Sequence, residues 1–179
     1  MTASAKILNT LPPRTAKEVF EMLPEGILSE VIDNTLYTAP SPIFEHQDII
    51  GDILTEMRIH IKEMGLGKCV PAPMDVYLND ENIVQPDILF ISTDKLNIVQ
   101  KGKVKGVPDI FVEVLSTNRK HDLEKKKVLY EKFGVKEYFI VDPATKETFT
   151  YYHDGKKYIA QESKKGKIKS KLLKKTFSF

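Results

Sequence analysis

Asp109-Ile110-Phe111-Val112-Glu113-Val114-Leu115-Ser116, followed by a helical pattern that turns Lys126 inward, is the stretch that decides the fold. Glu113 stands inside a run of apolar residues that otherwise reads as a buried strand. An isolated carboxylate there would cost several kcal/mol, on the order of a lost buried ion, so it calls for a metal ion or a cation as partner. Upstream, Gln85-Pro86-Asp87-Ile88-Leu89-Phe90-Ile91 repeats the arrangement, with Asp87 opening a second apolar segment. Two carboxylates and a lysine, each carried by a buried element, suit a divalent-metal site for phosphodiester cleavage.

The acids that can share one ion follow from strand geometry. Asp109 and Glu113 lie four residues apart on one strand, roughly 13 Å at ~3.3 Å per residue, and cannot chelate together. Asp87 and Glu113, from neighbouring strands, can converge. Asp109 is then expected either to face solvent or to anchor the start of its strand. On a helix running from Asp122 to Phe133, closed by Gly134, Lys126 falls at about +40°, inside the arc of Leu129 (about −20°), Phe133 (about +20°) and Tyr130 (about +80°). That arc allows an ammonium aimed at buried acids, and equally one that snorkels to water along the helix edge.

Working outward, Thr15 and Glu18 form a capping-box pair for a short helix ending near Met22, and residues 1–14 read as a loose lead-in. A hairpin follows, Ile27–Ile32 and Thr35–Ala39, turning at Asp33-Asn34. A long helix from Phe44 to Met64 carries the stripe Ile50, Ile53, Leu54, Met57, Ile61 and Met64, with His46 at its N-terminal end. Lys68–Met74 and Asp75–Leu78 are extended. Ile83–Ile91 reads as one strand, although Pro86 within it implies an edge or a ladder break. Residues 92–106 read as a lysine-bearing loop. Lys136–Val141 is a buried strand, and Thr148–His153 with Lys156–Gln161 forms a hairpin around Asp154-Gly155. The order describes a mixed α/β fold with helices on the sheet faces and a right-handed last crossover.

The chain is 179 residues long, enough for one domain with a full core. No apolar run approaches the ~20 residues that span a bilayer, and the first residues lack a continuous apolar segment of the secretory type. Cys69 is the sole cysteine, which excludes an internal disulfide and a cysteine-rich zinc site. A cytoplasmic protein with no membrane partner is the expectation. The net charge of +2 is unevenly spread: residues 155–179 hold nine lysines and one acid, Glu162. Such a segment is either a phosphate-seeking surface or a solvated edge guarded by lysines. Phosphate-loop, dinucleotide, zinc-protease and serine-nucleophile motifs are absent from the sequence.

Together these segments resemble a known family. Glu30 in Glu-Val-Ile-Asp-Asn34, His46 opening the long helix, Gln-Pro-Asp87, Val107-Pro-Asp-Ile-Phe-Val-Glu113-Val-Leu-Ser, Asp122-x3-Lys126-x3-Tyr130 and Gly134-Val-Lys-Glu-Tyr-Phe-Ile-Val-Asp-Pro143 are similar to the Uma-type putative restriction endonuclease family, within the PD-(D/E)XK nuclease superfamily. The similarity runs from about Thr15 to the C-terminus. It implies a restriction-endonuclease-like mixed sheet flanked by helices, with an N-terminal antiparallel hairpin extension, as a single domain over 15–179. It implies a divalent-metal-dependent DNA endonuclease that takes Mg²⁺ or Mn²⁺. Asp87 and Glu113 are the acidic pair, with the Val114 carbonyl as an additional metal ligand. Lys126 is the motif lysine, Glu30 an extra acid, and His46 a phosphate or acid contact. The chain departs from the pattern where Leu115 stands two residues after the acid in place of lysine. It departs again at Asn34 for the usual Gly, Thr117-Asn118 for Pro-Ser and Phe139 for Trp. DNA is the implied partner, and double-strand cutting by one site per chain would favour a homodimer. The alternatives are a nucleic-acid-binding or regulatory module with weak catalysis on the same fold, and a hydrolase of small phosphate esters.

Overall fold

The computed structural model describes residues 15–24, 26–115 and 121–179, with backbone only for 121–123. The lead-in 1–14 and the connection 116–120 lie outside the described residues. In chain order the elements are α1 (Ala16–Met22), β1 (Ser29–Ile32), β2 (Thr35–Thr38), α2 (Phe44–Glu63), β3 (Gly67–Pro71), β4 (Val76–Asn79), β5 (Asn82–Val84) and β6 (Ile88–Ser92). A 3₁₀ turn (Thr93–Ile98), β7 (Val99–Gln100), β8 (Lys103–Lys105) and β9 (Ile110–Val114) follow. A π-helical turn (His121–Lys126) then leads into α3 (Lys127–Lys132), β10 (Glu137–Val141), β11 (Glu147–His153), β12 (Tyr158–Ala160), β13 (Lys164–Lys165), β14 (Lys167–Ser170) and β15 (Lys175–Ser178).

The central sheet runs β12-β11-β10-β9-β6-β3, with β13 also on β11. Its β9–β10 pair is parallel and its other pairs are antiparallel, so the sheet is mixed. Both of its faces are buried, which is why β9 and β10 are buried at every position and read as unbroken apolar runs. Ile110, Val112 and Val114 pack with Ile49, Ile50, Ile53, Met57 and Ile61 of α2. The C-terminal hairpin β14–β15 adds Ile168, Leu173 and Phe177 to that layer. The opposite face carries Phe111 and Leu115 against Leu129 and Tyr130, and against Ile32, Val76, Val84 and Val104 of a second sheet, β2-β1-β5-β4-β8-β7. The N-terminal hairpin therefore does not stand apart; it extends this second sheet through the β1–β5 pair.

Local chemistry explains the boundaries. The Thr15 side chain accepts from the Glu18 N–H while the Glu18 carboxylate accepts from the Thr15 N–H, the reciprocal cap expected for α1. Gly134, at φ +70°, ends the α3 region in the left-handed conformation that glycine adopts without a Cβ penalty. At Gly67 a Cβ would sit 2.1 Å from the Ile91 carbonyl, so only glycine lets β3 start this close to β6.

Four expectations are corrected. Ile83–Ile91 is two strands, β5 and β6, in different sheets, because Pro86 has no N–H to continue the ladder. Residues 92–106 are a 3₁₀ turn and the β7–β8 hairpin rather than a loop. The helix expected from Asp122 begins as a π-turn and becomes α-helical only at Lys127. Met64, placed on the buried stripe, is exposed beyond the last residue of α2, and Ile49 takes a place in the core instead.

Candidate active site

The chain crosses from the second sheet to the central one at Gln85-Pro86-Asp87, and the polar residues converge there. Asp87 lies one residue beyond the Ile88–Val112 pair of the antiparallel β6–β9 ladder, which sets it alongside Glu113. Its Oδ2 accepts the Val114 N–H at 2.7 Å, taking the place of the backbone carbonyl that a continued strand would have offered. Glu113 is 3% exposed and faces α3. Its Oε1 accepts from the Tyr130 hydroxyl at 2.8 Å and from the Lys126 ammonium at 3.0 Å.

Lys126 is only 5% exposed, so its ammonium does not snorkel to water. Besides Glu113 it meets Glu30 Oε1, again at 3.0 Å. That same Glu30 oxygen accepts the Gln85 N–H at 2.8 Å, and the Gln85 side-chain amide donates to Asp75 at 2.7 Å. The second sheet thus presents Glu30 across the helix to the central sheet, with one lysine between two carboxylates. Burial, reinforced by the Glu113 and Glu30 charges, pushes the Tyr130 phenol well above its usual range, so it stays a proton donor to Glu113.

His46, in the first turn of α2, reaches the same strand end from the other face. Its Nε2 lies 2.9 Å from the Val114 carbonyl and 3.4 Å from Asp87 Oδ2. Both neighbours are acceptors, so Nε2 carries the proton. The Val114 carbonyl, expected as a metal ligand, accepts the imidazole N–H with one of its two lone pairs.

Asp87, Glu113, Lys126, Glu30 and His46 are accordingly gathered at one end of β9. Asp109 is not among them. It is fully buried at the other end of the strand, where its Oδ2 accepts from the Ser92 N–H and hydroxyl and its Oδ1 from Lys95 and Lys136. Of the two roles open to it, anchoring the strand is the one observed. Tyr130 and Gln85 were not singled out for this centre. The tyrosine sits one turn after Lys126, and its hydroxyl was hidden by its fit to the apolar arc.

Among the described residues no three His, Cys, Asp or Glu side chains surround one point. Two carboxylates in register on adjacent strands do fit Mg²⁺ or Mn²⁺, hard ions held by one or two such groups that keep water and substrate oxygens as remaining ligands.

A mixed sheet between helices, with an acid pair and a lysine at one strand end, defines a restriction-endonuclease-like fold. A crystal structure described as a putative nuclease belonging to DUF820, from Anabaena variabilis ATCC 29413, superposes with a TM-score of 0.68 at 18% identity, covering 85% of this chain and 83% of that one. Residues 16–175 match the model of the Uma2 family, described as a putative restriction endonuclease, and the chain belongs to that family. No curated protein matches the chain. Among the described residues no helix is long and apolar enough to cross a membrane.

Proposed function

We propose that the chain is a divalent-metal-dependent endonuclease that hydrolyses DNA phosphodiester bonds in the cytoplasm, with residues 15–179 acting as one domain. The observation that carries this is the Lys126 ammonium held between Glu113 and Glu30, with Asp87 alongside Glu113. A phosphodiester and hydroxide are both anionic, and the transition state gathers further negative charge. Asp87 and Glu113 are the residues that would hold Mg²⁺ or Mn²⁺, whose chemistry is to offset charge on the ester and lower the pKa of water.

The chain's own groups do the rest. Lys126 orients the attacking water and opposes developing charge in a site shielded from solvent, an effect often worth about 3 kcal/mol. Glu30 fixes the ammonium, and Tyr130 fixes the Glu113 carboxylate. Asp87 and His46 together grip the amide and carbonyl of Val114, so the strand end cannot splay. The extra Glu30 compensates for the lysine's coming from a helix instead of from position 115.

Nicking of supercoiled plasmid in Mg²⁺ or Mn²⁺ tests the reading. Wild type should nick, and Lys126→Ala and Asp87→Asn should not. DNA binding of equal strength by wild type and variants, with cleavage by neither, would favour a binding module. Turnover of a simple phosphodiester without DNA binding would favour a small-ester hydrolase.

A further inference from the structure

Beside the acid cluster, the sheet carries a row of lysines that the catalytic scheme does not use. Val114 pairs with Val141, Val141 with Thr148, and Thr148 with Lys164. Lys165 follows, paired with Glu147. Three strand spacings of ~4.8 Å put β13 roughly 14 Å from β9, at the same end of the sheet as Glu113. Two backbone bonds knit further lysines to this corner. The Gly166 N–H donates to the Lys146 carbonyl at 2.7 Å, and the Phe179 N–H donates to the Gly166 carbonyl at 3.2 Å. Lys146, Lys164, Lys165 and Lys167 are all exposed there. Three acids lie nearby: exposed Glu162, Glu147, whose carboxylate is engaged by the Ser163 hydroxyl at 2.7 Å, and buried Asp142, whose backbone carbonyl accepts the Lys146 N–H at 2.8 Å.

We infer that this corner, centred on Lys164 and Lys165, is a docking ridge for the phosphate backbone of the DNA whose scissile ester lies at Glu113 and Lys126. The inference rests on the endonuclease reading and names the path of its substrate. One strand of duplex places a phosphate every ~3.4 Å along the axis, so about four phosphates separate the cut site from the ridge. The lysines supply register and affinity, not sequence choice.

Duplex binding is measured by fluorescence anisotropy without divalent metal between 50 and 200 mM salt. For Lys164→Gln/Lys165→Gln the slope of log K against log[salt] should shrink by about 2, equally for unrelated sequences, since each phosphate contact contributes ~0.9. Lys164→Arg/Lys165→Arg should keep the slope. Lys156→Gln/Lys157→Gln, at the β11–β12 turn on the opposite end of the sheet, should keep it too. An unchanged slope in the first variant, an equal fall in the distal one, or no DNA binding by wild type overturns the ridge. Plasmid nicking in Mg²⁺ run alongside separates the two readings. Wild-type nicking with unaltered slopes sinks the ridge alone, while the expected slope change without nicking sustains the ridge and sinks the endonuclease.

Discussion

Replacing Lys126 by methionine keeps an unbranched apolar stem of the same four-atom length and removes the terminal ammonium. The ammonium lies 3.0 Å from each of Glu113 and Glu30. At an effective dielectric of about 20, each contact corresponds to roughly 5.5 kcal/mol of attraction. The two carboxylate oxygens, sharing that nitrogen, are at most about 6 Å apart and repel by at least about 2.8 kcal/mol on the same basis. Desolvation of three charges cancels most of the gross attraction, so the intact triad contributes little net stability. Its loss is asymmetric. Methionine removes the ammonium that bridges two acids only 3% and 13% exposed at their side chains. That places the destabilisation at about 3–5 kcal/mol. Urea unfolding measures it as a fall in midpoint at constant m-value. Adding Glu113→Gln removes the repulsion and should restore at least half of the loss, with a coupling energy of about 1.5–3 kcal/mol in the double-mutant cycle. A loss below about 1 kcal/mol for Lys126→Met, or strict additivity in the cycle, would refute the claim that this lysine holds the two carboxylates together.

Asp87→Asn and Glu113→Gln should each lower plasmid cleavage by about 10²–10³-fold or more, the scale of removing one preorganised electrostatic group, while duplex binding in metal-free buffer stays within about twofold. Tyr130→Phe removes a buried hydrogen bond to a carboxylate and should cost about 1.5–3 kcal/mol in urea unfolding. For Asp109, burial acts to raise the carboxyl pKa, but bonds from Lys136, Ser92 and Lys95 outweigh it and hold the group below the usual aspartate range. A depressed native pKa stabilises the fold above the unfolded value, and that stabilisation is lost as pH falls through the native value. The stability gap between wild type and Asp109→Asn should therefore be constant at neutral pH and close only in acid, as followed by unfolding at stepped pH.

How much of this was legible depended on whether the deciding signal was local. The stripe of α2 and the apolar run of β9 are local, so the helix and the buried Glu113 could be read directly. Periodicity put Lys126 within the arc of Leu129 and Tyr130 although its helix begins as a π-turn, but it left an inward ammonium and a snorkelling one equally open. The β7–β8 hairpin was obscured because its buried face is a single residue, Val104, among lysines. At the C-terminus, lysine density concealed a register that buries Ile168 and Phe177 and joins Ser170 to Glu137 on β10.

The feature that could not be read is the one that makes the site. Pro86 announced a break in the ladder, but a missing N–H does not say which sheet each half will join. Only the fold shows β5 pairing with β1 while β6 pairs with β9, so that Gln85 follows a strand of one sheet and Asp87, two residues on, precedes a strand of the other. Gln85 then holds Glu30 of β1 in one sheet, Asp87 holds Val114 at the end of β9 in the other, and Lys126 spans the gap. A straight strand through position 86 would keep both residues in one sheet and leave Glu30 without its backbone tether. The break in the strand is thus the element that brings acids from distant segments onto one lysine, and a residue that restored the ladder there would disperse the centre without touching any of its charges.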